Sequence, residues 1–270
     1  MKAMKNKSTV LITGGSGGIG LCLAREFAKA GNDIILAVSN AERLEKARTS
    51  LLEGCKVNVY CFVSDLAAHE GAERLYNDIK AAGHTVDILV NNAGFGDYAE
   101  FVDSDWEKQE RMVTLNITCL MHLCHLYGAE MKKRGNGRIL NIASCAAFAP
   151  GPYMAVYYAS KAFVLSFSEA LSVELKEYGV SVTALCLGPT TTNFTNAADM
   201  KKGCTMFKKI KPDTPEAVAK TGYKAVMKGR AVKYHGAPTV FTALAVRFAP
   251  RALVRYFTKG INSKPETENK

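Results

Sequence analysis

The sequence predicts an α/β protein built as a three-layer, doubly wound parallel sheet. Short continuous apolar runs, not alternating ones, recur along the first 190 residues, the pattern of strands buried on both faces. Longer amphipathic stretches separate them, and glycines stand where those stretches should end. Such a βαβα alternation places ligands beyond the carboxyl ends of the strands.

The strand-like runs are Thr9–Ile12, Asp33–Val38, Lys56–Val63, Ile88–Val90, Arg138–Ala143 and Ser181–Leu187. Helices are expected near Leu21–Ala30, Ala41–Leu52, Glu70–Ala82, Trp106–Arg134 and Ser160–Tyr178, with Gly31, Gly83, Gly135 and Gly179 as C-terminal caps. After residue 190 the pattern loosens; Thr190–Lys211 is polar, and Pro215–Gly229 reads as a helix opened by proline. The tail Asn262–Lys270 is expected to fray. No linker or repeat divides the chain, so residues 1–270 are read as one domain, with 190–260 as a substrate lid and basic C-terminal segment.

With 48% hydrophobic and 22% charged residues, the chain has the composition of a folded globular protein and not of a disordered one. At 270 residues it buries enough surface to need no disulfide or metal staple. No run approaches the ~20 apolar residues of a membrane span. The run Val10-Leu11-Ile12 that follows Lys2, Lys5 and Lys7 is too short for a secretion signal, so a cytoplasmic location is expected. Eight cysteines (22, 55, 61, 119, 124, 145, 186 and 204) show no C-x-x-C spacing and fit a reducing compartment. His122 and His125 lie three apart with nothing to complete a site, so no metal is expected.

The net charge of +10 is unevenly placed. Residues 201–270 hold 16 Lys/Arg against 4 Asp/Glu, whereas residues 1–200 hold 19 against 21. Such a basic segment suits a solvated face, an anionic membrane or an acidic partner. A nucleic-acid role is not expected, because no aromatic-and-basic reading motif accompanies it.

The first strand runs into Thr13-Gly14-Gly15-Ser16-Gly17-Gly18-Ile19-Gly20 and then a helix. A glycine turn in that place lets backbone amides and the helix N-terminus approach a pyrophosphate. With this T-G-x-x-x-G-x-G arrangement the chain resembles the short-chain dehydrogenase/reductase family, whose fold is of the Rossmann type. The resemblance implies a nicotinamide dinucleotide on Gly14, Ser16, Gly17, Gly18, Ile19 and Gly20. In NAD-preferring members an acid at the end of the second strand binds the ribose 2′-OH. Here Ser39 and Asn40 stand there, with Glu42 the first acid and Arg43 one turn on, so NADP(H) is expected to be preferred, with NAD(H) the alternative. The family also implies adenine contacts at Asp65 and Leu66, although Asp65 reads equally well as a helix N-cap. Asn91-Asn92-Ala93-Gly94 matches the family's N-N-A-G, which places Asn92, Ala93 and Gly94 in the cofactor cleft. Gly188, Thr190 and Thr192 follow the sixth strand, Thr192 matching the threonine that holds the carboxamide; relatives usually carry P-G where Leu187-Gly188 stands.

Tyr157 and Lys161 are spaced i, i+4, which sets them on one helix face. Carbonyl reduction or alcohol oxidation needs a proton moved at oxygen as hydride moves at carbon. Bringing a phenol from pKa ~10 to ~7 takes about 4 kcal/mol. A cation about 4 Å away at an effective dielectric near 20 supplies about that much. Tyr158, at i, i+3 from Lys161, competes with Tyr157 on spacing alone. The family pattern selects Tyr157, and with Asn116, Ser144 and Lys161 it completes the family's tetrad. By that resemblance Ser144 holds the substrate oxygen, and Asn116 interrupts its helix and links to the lysine through a water.

The whole chain resembles the branch holding long-chain ketoacyl reductases and 17β-hydroxysteroid dehydrogenase-like enzymes, which implies a small-molecule secondary alcohol or ketone of apolar character. Met154, Phe148, Phe194, Met200, Met206 and Phe207 are candidates for the pocket. Relatives form homodimers or homotetramers through the two long helices. Arg247, Arg251, Arg255 and Lys259 recur at steps of four in an apolar stretch, read as a basic amphipathic helix that packs on a partner or, over 240–260, touches membrane or lipid. The competing reading is a catalytically silent dinucleotide-binding regulator, a class that typically loses the tyrosine or lysine kept here. A sugar epimerase or dehydratase also uses Y-x-x-x-K, with a different glycine spacing.

Overall fold

The structure is a computed structural model that describes residues 7–192 and 212–263. Seven parallel strands form one sheet in the order β3-β2-β1-β4-β5-β6-β7. They are β1 (Thr9–Thr13), β2 (Asp33–Val38), β3 (Val59–Val63), β4 (Ile88–Asn91), β5 (Gly137–Ile142), β6 (Val180–Cys186) and β7 (Val232–Tyr234). The winding reverses between β1 and β4, which pair in register from Val10↔Ile88 to Ile12↔Val90. Where winding reverses, the two connecting chains leave the sheet in opposite directions and a crevice opens.

The continuous apolar runs divide between two cores. Val10 and Ile12 of β1, with Ile34 and Leu36 of β2, face α1 (Gly18–Lys29), α2 (Ala41–Gly54) and α7 (Pro215–Met227). Leu11 and Ile35 face the other way, onto α3 (Gly71–Ala81), α5 (Leu120–Arg134) and α6 (Ala155–Glu174). Side chains alternate along a strand, so a strand covered on both faces is apolar at every position. Gly31, Gly83, Gly135 and Gly179 adopt positive φ where the helices end, as expected of caps.

The structure departs from the sequence reading at several elements, and β7 was not among the predicted strands. The expected helix Trp106–Arg134 is α4 (Trp106–Val113) and α5 joined by a π-helical turn, Thr114–Cys119. The expected helix Ser160–Tyr178 begins five residues earlier, at Ala155, so Tyr157 is helical; a 3₁₀ turn, Lys176–Tyr178, follows it. The single basic helix is two, α8 (Ala237–Phe248) and α9 (Arg251–Asn262), because Pro250 cannot continue the first and instead precedes the second. The tail does not fray at Asn262, which is buried: its Nδ2 donates to the Pro152 carbonyl at 3.1 Å, and its own carbonyl accepts from the Tyr98 hydroxyl. Cys204 and the lid residues 193–211 lie outside the described residues.

Candidate active site

The glycine turn between β1 and α1 is tied to the end of β4. Thr13 Oγ1 accepts from the amides of Asn92 and Ala93, both at 3.0 Å, and Asn92 Nδ2 donates to the Thr13 and Gly14 carbonyls at 2.9 and 3.1 Å. Asn92 therefore acts as a strut inside the loop. Gly14 has φ +66, and a Cβ there would stand 2.9 Å from Ala93 Cα, so the two chain segments fit only with glycine. Gly17 differs: a Cβ there would meet nothing within 4 Å. α1 starts with no side-chain cap and no acid in its first turn. Its first amides thus lack both helical and side-chain acceptors.

At the other end of the crevice, β5 delivers Ser144. The residue caps the 3₁₀ turn Cys145–Phe148, its Oγ accepting from the Ala146 amide at 3.1 Å. The Tyr157 phenol hydrogen-bonds Ser144. Lys161, one turn along α6, is buried and donates to the Ile142 carbonyl at 2.9 Å, with Nζ 5.8 Å from the centroid of the Tyr157 ring. Burial pushes the Tyr157 phenol above its ordinary pKa, the Ser144 hydrogen bond pulling partly back, and burial brings Lys161 down to about 8. The shifts run opposite to the activation expected from a close ion pair. Burial is the largest cause of both shifts.

Asn116 sits in the π-helical turn and is buried. Its Nδ2 donates to the Phe95 carbonyl (2.9 Å) and Ser160 Oγ (3.2 Å), and its Oδ1 accepts from the Phe95 amide (3.2 Å). Gly94 lies between this amide and Lys161, where a Cβ would be 2.9 Å from Asn116 Oδ1 and 3.7 Å from Lys161 Nζ. Tyr158 also borders the cleft, but its hydroxyl is engaged elsewhere, donating to Asn262 Oδ1 at 3.2 Å. The structure thus separates the two tyrosines that spacing alone left equal.

The residues from both ends line one cleft of about 700 Å³. Gly14, Ser16, Gly17, Gly18, Ile19, Gly20, Ser39, Asn40, Asp65, Leu66, Asn92, Ala93, Gly94, Gly188, Thr190 and Thr192 all border it, with Ser144, Tyr157 and Lys161; Asn116 stands behind the wall. A family model described as short chain dehydrogenase matches residues 8–203.

The chain belongs to the short chain dehydrogenase family.

Among its relatives, a probable oxidoreductase, EphD, of Mycobacterium tuberculosis is 31% identical over 185 residues, covering 68% of this chain and 31% of that protein. The very-long-chain 3-oxoacyl-CoA reductase of Bos taurus is 34% identical over 181 residues, covering 65% of this chain and 57% of that one. The chain therefore aligns with about a third and just over half of the length of these two relatives. A short-chain dehydrogenase from Sphingobium yanoikuyae, solved in complex with NADPH, is 27% identical with a TM-score of 0.78, covering 97% of this chain and all of that one.

Within this short chain dehydrogenase the glycine-turn end of the cleft carries one cation and one carboxylate, Arg43 and Asp65. Asn40 caps α2, its Oδ1 accepting from the Arg43 amide at 2.8 Å, and Arg43 borders the cleft. Glu42 pairs with Lys46 at 2.6 Å and is not part of the lining. Asp65 does not cap α3, whose N-cap position is Glu70. Its Oδ1 accepts from the Ala67 amide (3.0 Å), and Oδ2 pairs with Arg111 (3.0 Å), which holds the carboxyl below its usual range against the opposing effect of burial. The Leu187-Gly188 departure leaves ordinary pairing, since the Leu187 carbonyl accepts from the Cys145 amide at 2.8 Å.

Of the expected pocket residues, Met154 lines the cleft, whereas Phe148 packs edge-on against Tyr234, ring centroids 5.7 Å apart. Phe194, Met200, Met206 and Phe207 lie outside the described residues. The lining also holds Phe95, Leu115 and Leu187, which the sequence reading missed. Phe95 and Leu115 follow directly from two motifs it did use, Gly94 and Asn116, and position next to those motifs was the available signal.

Proposed function

We propose that the chain is an NADP(H)-dependent oxidoreductase that transfers hydride between the nicotinamide and a secondary alcohol or ketone of apolar character, with Tyr157 as general acid and base. The observation that carries this reading is the Tyr157–Ser144 pair in the same cleft as an uncapped helix N-terminus wrapped in glycine. The open space at Gly17 and the bare first turn of α1 fit a pyrophosphate, which takes hydrogen bonds from free amides and is favoured by the helix dipole. Arg43 supports a 2′-phosphate beside Ser39 and Asn40, because the nearest acid is occupied by Lys46.

The bound dinucleotide supplies or accepts the hydride. Ser144 Oγ accepts from Ala146 and donates only weakly to Cys145 Sγ at 3.9 Å, and in the proposed complex this proton turns to the substrate oxygen. Tyr157, a phenol that is protonated at neutral pH and is held more firmly so by burial, donates its proton to that oxygen in the reductive direction. Lys161 sets its ammonium between the Ile142 carbonyl and the Tyr157 ring, where its charge steadies the phenolate left behind. The Asn116 side chain is spent on Phe95 and Ser160, which fixes the π-helical turn behind Lys161. Phe95, Leu115, Met154 and Leu187 favour an apolar substituent on the carbonyl carbon. Exposed Trp106, Val113, Met121 and Val173 along the two long helices support a homodimer or homotetramer.

The test is a panel of apolar ketones offered with NADPH and, separately, NADH, followed by loss of cofactor absorbance. Turnover with preference for NADPH is expected. Tight dinucleotide binding without turnover across the panel would favour the regulator reading, and a clear preference for NADH would overturn the cofactor assignment.

A further inference from the structure

The C-terminal helices present their apolar faces outward. On α8 the buried residues are Thr239 and Ala243, while Phe241, Leu244 and Phe248, at i, i+3 and i+7, project from the opposite side. On α9 the buried stripe is Val254, Thr258 and Asn262, at i, i+4 and i+8, and Leu253, Tyr256 and Phe257 face away from it. Phe248 is 87% exposed and Tyr256 74%. A helix on the surface of a globular protein normally shows the reverse arrangement. The cations Arg251, Arg255 and Lys259 run along one flank of α9, between the buried stripe and the outer apolar face, and Arg247 adds a fourth from α8. Residues 237–263 contain no Asp or Glu.

We infer that α8 and α9 form a docking surface for an anionic lipid bilayer, on which the protein lies without crossing it. Aromatic and aliphatic side chains on an outer face, bordered by cations on flexible stems, match the interfacial zone of a membrane. The rings enter the acyl boundary while the ammonium and guanidinium groups meet lipid phosphates. No helix among the described residues is long and apolar enough to span a membrane, so contact is confined to one leaflet. Charge decides against a second copy as the occupant. A two-fold contact through this face would set four cations against four cations with no acid between them. The segment 193–211 is no better a cover by composition, with five Lys and one Asp.

Each of the two helices is fixed to the rim of the cleft. Thr239 of α8 lies beside Gly188, where a Cβ would be 3.3 Å from its hydroxyl, and Asn262 at the end of α9 binds Tyr158 and Pro152. A bilayer seated on the outer face is therefore separated from the cleft by one helix diameter, ~10 Å. Docking itself does not depend on the chemistry in the cleft and is measured without turnover.

The test is co-sedimentation of the full chain with vesicles of phosphatidylcholine alone and of phosphatidylcholine with phosphatidylglycerol, at physiological ionic strength. Binding to the anionic vesicles only is expected. The triple substitution Arg251→Gln, Arg255→Gln, Lys259→Gln should weaken it on the order of 100-fold, at about fivefold per cation. Phe248→Ser, Tyr256→Ser, Phe257→Ser should abolish it with the net charge unchanged. In a Trp106→Phe, Phe257→Trp protein the single indole should shift to the blue on adding anionic vesicles. All these side chains are exposed, and an unchanged thermal midpoint checks that the variants fold. Failure of the wild type to sediment with anionic vesicles, or binding indifferent to both triple substitutions, would overturn the inference. So would a wild type that ignores vesicles but loses self-association in the serine variant, which would make this face a subunit contact.

Discussion

Lys161 gives its ammonium to the carbonyl of Ile142, the last residue of β5, at 2.9 Å, and stands with that charge 5.8 Å from the centre of the Tyr157 ring. The sheet thereby fixes the cation beside the Tyr157 ring. Burial lowers Lys161 to about 8. Holding the ammonium in this site therefore costs about 3 kcal/mol relative to the unfolded chain.

That cost gives the first prediction. A lysine whose folded pKa lies below its unfolded value is penalised most at pH below about 8, and the penalty fades as pH rises from there towards 10.5. Lys161→Met should remove the penalty and also lose a hydrogen bond worth about 1 kcal/mol. The variant should be more stable by about 1–2 kcal/mol in urea unfolding at pH 7, show no gain at pH 10, and have lost its reductase activity. For the wild type, the reduction rate should fall as pH passes through about 8. A destabilised variant at pH 7 would show that the ammonium is held more favourably than its burial implies.

Arg43 borders the glycine-turn end of the cleft while Glu42 is engaged by Lys46. Arg43→Glu should raise the KM for NADPH by roughly 10- to 100-fold, the value of one or two charge-assisted hydrogen bonds, and leave NADH unchanged or improved. Equal effects on the two cofactors would remove the guanidinium from recognition of the 2′-phosphate.

Thr13 Oγ1 accepts from two amides, those of Asn92 and Ala93, and is buried. Thr13→Val keeps the shape and orphans both donors, so it should destabilise the fold by about 2–4 kcal/mol in chemical denaturation. Because the same bonds pin the glycine turn, the KM for the dinucleotide should rise while kcat changes little. A neutral effect on stability would mean that the loop reorganises.

Six of the seven strands were legible because strands sandwiched between helix layers must be apolar throughout, as Ile34, Ile35 and Leu36 are. β7 was missed, having only three residues, with Lys233 exposed in the middle. The start of α6 was missed because Met154, at its N-cap, offers no side-chain cap, and Ala155-Val156-Tyr157-Tyr158 carries no helical signature of its own. The four-residue spacing of the arginines masked the break at Pro250, although proline announced it. In the cleft, the described residues of the fixed-spacing motifs border one lining, with Asn116 behind it, whereas the pocket candidate Phe148 packs on Tyr234 instead. Asn262 had no such motif; its burial depends on Tyr98, Pro152 and Tyr158, each more than 100 residues away in sequence. The pKa of Tyr157 was equally hidden, since spacing gives the distance to a cation but not the desolvation that opposes it.

The most direct measurement compares two single substitutions in NADPH-dependent reduction of an accepted ketone. Tyr157 faces Ser144, whereas Tyr158 is held by Asn262. Tyr157→Phe should lower kcat by at least about 100-fold with NADPH binding intact, the usual loss for a removed general acid. Tyr158→Phe should keep kcat within a few-fold and cost about 1 kcal/mol of stability through the lost hydrogen bond. Full activity in Tyr157→Phe, or collapse of activity in Tyr158→Phe alone, would contradict a proton passing through the Tyr157 hydroxyl.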